Sequence, residues 1–186
     1  PADMDTPISL FLGLCRDCSG ILLESAEVDG RWGRYSVLAG DFLLTARCRN
    51  AELALDIADE RLVPLAVLNG MPFLDGLRAL MRSLHIEHSE KNGLPPISRA
   101  LYGYLGYGMA GLLNPKLSSC LPVKQADACL VLPGTVLIFD HLYNQLFQTG
   151  LGDLRDVTGA PSCPADTVSS VTEDEVKAEP GREGYM

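Results

Sequence analysis

Long apolar runs are missing from this chain. None approaches the roughly 18–20 consecutive apolar residues that cross a bilayer, and no basic stretch followed by an apolar run suggests a secretory signal. Cysteine is also scarce, because six in 186 residues are too few for a disulfide scaffold. Cys48 and Cys129 stand in apolar runs, where we expect small core residues. These shortages favour a protein of the reducing cytoplasm.

Basic residues are few as well. Lys and Arg total 15 against 24 Asp and Glu, which gives a net charge of −9. Non-specific nucleic-acid binding needs clustered cations that displace counterions, and an anionic membrane surface would repel this chain. The composition, with 47% hydrophobic and 21% charged residues, is that of a globular protein with a sizeable core. We therefore expect no nucleic-acid partner and no membrane partner.

Short apolar runs between turn residues dominate the sequence and predict strands. The predicted strands are residues 20–25, 34–38, 42–48, 52–57, 100–107, 128–132, 135–139 and 142–147, with an irregular extension at 61–68. Helical spacing is clear only after Pro72, where the apolar face comprises Leu74, Leu77, Leu80, Met81 and Leu84. A shorter helix is predicted at residues 7–14. Because βαβ alternation is missing, we predict an α+β fold with mostly antiparallel β-sheets packed together with a few helices.

The last 26 residues differ in composition from the rest. Residues 161–186 hold six acidic and two basic residues and few large apolar ones. Such a segment buries too little surface to offset its ordering entropy. We predict one domain over residues 1–160, followed by an exposed acidic linker over residues 161–186.

Two motifs suggest chemistry but have weak context. Gly106-x-Gly108-x-x-Gly111 matches the dinucleotide fingerprint, yet Asn114-Pro115 stops the helix that would have to hold the pyrophosphate. Cys15-x-x-Cys18 could be a redox pair or half of a zinc site, but no second Cys-x-x-Cys exists. His85-x-x-His88 could add ligands, although nothing in the sequence unites it with the cysteines. A solvated helix end explains the histidines better.

Two neighbouring segments carry an unusual set of polar groups. Leu22-Leu23-Glu24-Ser25 ends a predicted strand on a carboxylate and a hydroxyl, which could accept hydrogen bonds from an ammonium group. Gly33-Arg34-Tyr35-Ser36 begins the next strand with a guanidinium, a phenol and a second hydroxyl. If the two strands pair, these groups come together and would suit a small zwitterion.

These segments resemble the N-terminal region of the chorismate-utilising enzymes, and specifically the anthranilate synthase component I family. Three later segments agree with the resemblance: Tyr102-Gly-Tyr-Leu-Gly-Tyr107, Phe139-Asp-His141 and Arg182-Glu-Gly-Tyr185. The resemblance extends from about residue 5 to the C-terminus. The chain departs from the family at Gly108, where an Asp is common, and Cys15 and Cys18 match no motif of the family.

The resemblance implies a role without catalytic residues in this chain. The family converts chorismate and ammonia from glutamine to anthranilate and pyruvate. It uses Mg²⁺ in a chorismate-binding domain that is expected to follow Met186, and a glutamine amidotransferase subunit, component II, supplies the ammonia. The N-terminal domain is implied to be scaffold and half of the site for the feedback inhibitor L-tryptophan. By position this site carries over to Glu24 and Ser25, and then to Leu23, Arg34, Tyr35 and Ser36.

Three alternatives stay open from the sequence. One is the same domain of aminodeoxychorismate synthase component I, in which the inhibitor role can be lost while the fold is kept. Another is a free-standing module that binds a small ligand. The third is a zinc or redox protein that uses Cys15 and Cys18.

Overall fold

The computed structural model describes residues 6–15, 19–24, 33–84, 94–114, 116–121 and 127–151. Within these ranges it has six strands: β1 (Gly20–Leu23), β2 (Tyr35–Arg49), β3 (Glu52–Ile57), β4 (Tyr102–Leu105), β5 (Ala128–Asp140) and β6 (Gln145–Gly150). The α-helices are α1 (Pro7–Leu14), α2 (Phe73–Ser83) and α3 (Ala110–Leu113). The 3₁₀ segments are Glu60–Leu68, Pro96–Ser98 and Tyr107–Met109.

All the strands belong to one antiparallel sheet with two long strands at its centre. β2 and β5 pair along their lengths. β1 and β3 pair with the first and second halves of β2, and β4 and β6 pair with the first and second halves of β5. The predicted α+β class with mostly antiparallel strands is therefore confirmed.

The two long strands correct the sequence prediction, which placed a turn in each of them. The residues between the predicted strands, Gly40-Asp41 in β2 and Pro133-Gly134 in β5, lie opposite each other, and a bulge follows them in β2 between Phe42 and Leu44. Asp41 takes a left-handed φ of 55° and accepts a hydrogen bond from Thr135 Oγ1 at 3.0 Å. Proline, which has no N–H, is tolerated in a sheet at such bulges. Both strands therefore continue past these residues without leaving the sheet.

Other expectations were wrong in detail. The extension at residues 61–68 is a 3₁₀ segment, Glu60–Leu68, and has no strand pairing. The predicted strand 142–147 begins later, at Gln145, because residues 141–144 form the turn from β5. Met81, predicted on the buried face of α2, is 51% exposed. The buried residues of that helix are Phe73, Gly76 and Leu80.

Apolar side chains pack on both faces of the sheet where β2 begins. One face of the first half of β2 packs Val37 and Ala39 with Val136 and Ile138 of β5. The opposite face packs Leu38 with Leu10 of α1. Thr6 caps α1 through reciprocal hydrogen bonds with Ser9, and Pro7 suits its first turn. Helix α1 thus covers the face of the sheet on which Ser36 lies.

Candidate functional site

The candidate site lies where β1 ends and β2 begins. The two strands pair antiparallel, and the last pair of their ladder is Leu23 with Val37. Glu24 follows this pair, and Ser36, Tyr35 and Arg34 precede it on the other strand. The two strands therefore pair, which is the condition under which the two segments come together. Ser25 lies outside the described residues, so its inhibitor-binding role stays a prediction.

Strand alternation divides the predicted residues between the two faces of the sheet. Because directly opposed residues of an antiparallel pair point to the same side, Leu23 shares a face with Val37 and therefore with Tyr35. Ser36 lies on the other face, with Leu38. Leu23 is 41% exposed and Glu24 is also exposed. A ligand at this end of the sheet would therefore meet a leucine and a tyrosine on one side, and a carboxylate at the strand end.

The Arg34 guanidinium forms an ion pair with the carboxylate of Asp140, which lies 106 positions later in the chain. Its Nε lies 3.1 Å from both Asp140 oxygens, and its Nη2 lies 2.6 Å from Oδ2. Asp140 is the last residue of β5 and stands opposite Tyr35 in the ladder. The Asp140 side chain is 3% exposed and that of Arg34 is 36% exposed. This bidentate geometry is the strong form of an Arg–carboxylate pair.

The same carboxylate organises the turn that follows β5. Asp140 Oδ1 accepts hydrogen bonds from the backbone N–H groups of Leu142 at 3.0 Å and Tyr143 at 3.3 Å. The hydrogen bonds from Arg34 are the main cause that lowers the pKa of the Asp140 carboxyl. The same interaction raises the pKa of Arg34. Asp140 is therefore ionised across the physiological pH range.

Two aromatic rings lie against the guanidinium group. The Cζ atom of Arg34 is 4.8 Å from the centroid of the Tyr35 ring and 5.0 Å from that of Tyr143. Both distances are within the range of cation–π attraction. Arg34 is thus held by a carboxylate and two rings at once, and its Nε and Nη2 atoms are already hydrogen-bonded within the domain.

Ser36 is held by the residue that follows Asp140. Its Oγ lies 2.7 Å from Nε2 of His141, and the backbone N–H of His141 donates to the carbonyl oxygen of Arg34 at 2.9 Å. The His141 ring also stacks on Phe139. Ser36 is completely buried. Because a nucleophile must reach its substrate, this serine–histidine contact does not have the geometry of a hydrolytic site.

Three residues of this arrangement were not predicted as site residues: Asp140, His141 and Tyr143. The Phe139-Asp-His141 segment was noticed as a motif, but nothing in its spacing indicated that it meets Arg34 and Ser36. Those contacts join residues 105 and 106 positions apart. The signal that could have suggested them is a carboxylate directly at the end of a predicted apolar strand.

The chain is similar in sequence to several curated proteins that share one name. It is 35% identical to anthranilate synthase component 1 of Mycolicibacterium smegmatis over 75% of this chain and 26% of the relative. It is 30% identical to that of Cereibacter sphaeroides over 99% of this chain and 41% of the relative. The match to the Pseudomonas aeruginosa protein of the same name is 26% identical over 82% of this chain and 30% of the relative.

The chain is a homologue of anthranilate synthase component 1. No protein-family model matches it. The chain spans between about a quarter and two fifths of the length of these curated relatives.

The homology does not test the other candidate sites that the sequence suggested. The short helix predicted after the Gly106-x-Gly108-x-x-Gly111 motif is confirmed, because α3 has four residues and ends before Asn114. Cys18, His85 and His88 lie outside the described residues, so the zinc and redox alternative stays untested, as does the acidic linker at 161–186. Across the described ranges, no helix is long and apolar enough to cross a membrane.

Proposed function

We propose that this chain is the N-terminal regulatory and scaffold domain of an anthranilate synthase component I. The complete enzyme would convert chorismate and ammonia to anthranilate and pyruvate in tryptophan biosynthesis in the cytoplasm. The observation that carries the proposal is the homology over three quarters or more of the chain to proteins of that name.

The catalytic chemistry belongs, in this proposal, to a chorismate-binding domain outside this chain. No group of three or more His, Cys, Asp or Glu within the described residues lies close enough to hold a metal ion. The described donor set therefore does not fit the Mg²⁺ that the family uses, and we place that ion in the chorismate-binding domain. The partner that supplies ammonia would be a glutamine amidotransferase subunit.

The chain by itself should therefore be catalytically silent. Incubation with chorismate, Mg²⁺ and ammonium, followed by anthranilate fluorescence, tests this directly. Turnover by the purified chain would contradict the placement of the chemistry in another domain.

We further propose that the end of β1 forms half of a site for L-tryptophan, the feedback inhibitor. The contacts would come from Ser25 and Glu24, with Leu23 and Tyr35 beside them. Ser36, which was expected to contact the inhibitor too, is fully buried against His141, and Arg34 is paired with Asp140, so these two would support the site from inside the domain. A carboxylate suits the ammonium group of the inhibitor, and the exposed leucine and the tyrosine ring suit its indole. The support is the β1–β2 pairing, which brings Leu23 and Glu24 to the same end of the sheet as Tyr35.

Ser25→Ala in the complete enzyme tests this role. A hydrogen bond to a charged group contributes about 1.5–3 kcal/mol, so its loss should weaken tryptophan inhibition roughly 10–100-fold at about 1.4 kcal/mol per tenfold. Inhibition is expressed relative to the uninhibited rate of each variant.

Ser83→Ala is the matched control, because Ser83 is exposed at the end of α2 and its hydroxyl donates only to the carbonyl oxygen of Ala79 at 3.0 Å. An unchanged inhibition curve for Ser25→Ala together with a lowered melting temperature would reduce Ser25 to a structural residue. A main product of aminodeoxychorismate instead of anthranilate would favour the folate-pathway relative.

A further inference from the structure

The contacts at the end of β5 suggest how the candidate inhibitor site is kept in shape. We call the four residues Arg34, Ser36, Asp140 and His141 the strand-end clasp. Two of them open β2, and the other two close β5 and begin the turn after it. Three contacts join the halves: the bidentate Arg34–Asp140 pair, the Ser36–His141 side-chain hydrogen bond, and the backbone hydrogen bond from His141 to Arg34.

Strand β1 depends on β2 for its position. Among the described residues β1 pairs only with β2, and their ladder has four pairs that end at Leu23 and Val37. The start of β2 beyond this ladder is held by β5, since Tyr35 stands opposite Asp140 and Ser36 opposite Phe139. The end of β1 and the start of β2 flank residues 25–32. The clasp thus fixes the start of β2, the strand with which β1 pairs.

The polar side-chain atoms of Arg34 and Ser36 make their hydrogen bonds within the domain, to Asp140 and His141. Ser36 is fully buried with its hydroxyl on His141, and Arg34 gives its Nε and Nη2 to Asp140 while two rings flank it. Removal of Arg34 would leave the Asp140 carboxylate, which is 3% exposed, without its partner, and removal of the Asp140 charge would release the 36%-exposed guanidinium from its bidentate contact.

We propose that Asp140, acting through Arg34, is a positioning residue for tryptophan inhibition, although it touches no inhibitor. The inference rests on the proposed tryptophan site. A strand end that forms half of a ligand pocket should be ordered before the ligand binds. If the ligand has to order it, the lost conformational entropy lowers the affinity. The clasp supplies this order.

Asp140→Asn in the complete enzyme is the mildest probe of the clasp. The amide keeps an acceptor for the N–H groups of Leu142 and Tyr143 but removes the charge that Arg34 needs. We expect the tryptophan concentration for half-inhibition to rise about tenfold. Arg34→Lys, which keeps the positive charge but loses the planar fork, should shift it in the same direction. The double variant should be no worse than the stronger single variant, because both break one contact.

The chain offers a matched control in the pair Asp59–Arg61. There too an Arg Nε lies within 3.2 Å of both carboxylate oxygens, and Nη2 lies 2.6 Å from Oδ2, but the pair stands beyond the end of β3. Asp59→Asn should leave inhibition as in the wild type. Melting temperatures of all variants separate general stability from an effect on the inhibitor.

The Ser25→Ala result distinguishes failure of this inference from failure of the proposed function. If Ser25→Ala weakens inhibition while Asp140→Asn and Arg34→Lys stay within twofold of the wild type, the clasp is structural only and the inference is wrong. If none of the three variants changes inhibition, the tryptophan site is misplaced and both proposals fail. A shift in Asp59→Asn as large as in Asp140→Asn would also overturn the inference.

Discussion

Gly103 lies in β4, opposite Leu130 of β5. Its φ is 150°, a conformation that side chains rarely adopt. A Cβ at this position would overlap the carbonyl oxygen of Cys129 and lie 2.9 Å from its carbonyl carbon and 3.0 Å from the Cα of Leu130. These are backbone atoms of a central strand, so they cannot turn aside as a flexible side chain could. We predict that Gly103→Ala forces β4 away from β5.

The size of the effect follows from what β4 contributes. Its four residues pair with Ala128–Val131, and Tyr102, only 3% exposed, is buried in the packing on one face of the sheet. Backbone strain at such a residue costs about 1–3 kcal/mol, and partial loss of the pairing adds to it. We expect the free energy of unfolding to fall by about 2–4 kcal/mol. With a urea m-value of about 2 kcal/mol/M, the midpoint falls by about 1–2 M.

Gly40→Ala is the matched control in the same sheet. A Cβ at Gly40 meets no atom within 4 Å, so the reduced freedom of the unfolded chain should leave stability equal or higher by up to about 1 kcal/mol. Urea unfolding of the purified chain, followed by circular dichroism, measures both variants. If Gly103→Ala matches the wild type within about 0.5 kcal/mol, the close approach of β4 to β5 does not exist as described.

Three further predictions concern charge, packing and thiol access. The pKa of Asp140 is lowered in the folded state by Arg34, so the stabilisation it provides is complete above its unfolded pKa of about 3.9 and is lost as the pH falls through the lower folded value. Urea unfolding between pH 2 and pH 6 should show that the free energy of unfolding falls less on acidification in Asp140→Asn than in the wild type. Phe73→Ala, at a site 1% exposed in the core, should cost about 3–5 kcal/mol in the same assay at pH 7. Maleimide should label exposed Cys120 in the native protein but spare Cys48, because burial both covers its thiol and raises its pKa; peptide mass mapping reads the two sites separately.

Much of the local structure could be predicted from the sequence. The capped helix at residues 7–14, the helix after Pro72 and the antiparallel class follow from spacing, capping and the lack of βαβ alternation, and the structure has them. Glycines within a strand, as in the Tyr102–Tyr107 segment, are typical of close backbone approach, and Gly103 shows it. These features depend on residues within a few positions of each other, where local preference decides.

What the sequence could not decide was which segments meet. Gly40-Asp41 and Pro133-Gly134 each predict a turn when they are considered alone, but they lie opposite each other in neighbouring strands next to a bulge, and both strands continue. The candidate site shows the same limit. Arg34 and Asp140 are 106 positions apart, and only the pairing of β2 with β5 places a carboxylate opposite Tyr35. Sheet order is set by the burial of many apolar side chains at once, so contacts between distant polar residues emerge only in the tertiary structure.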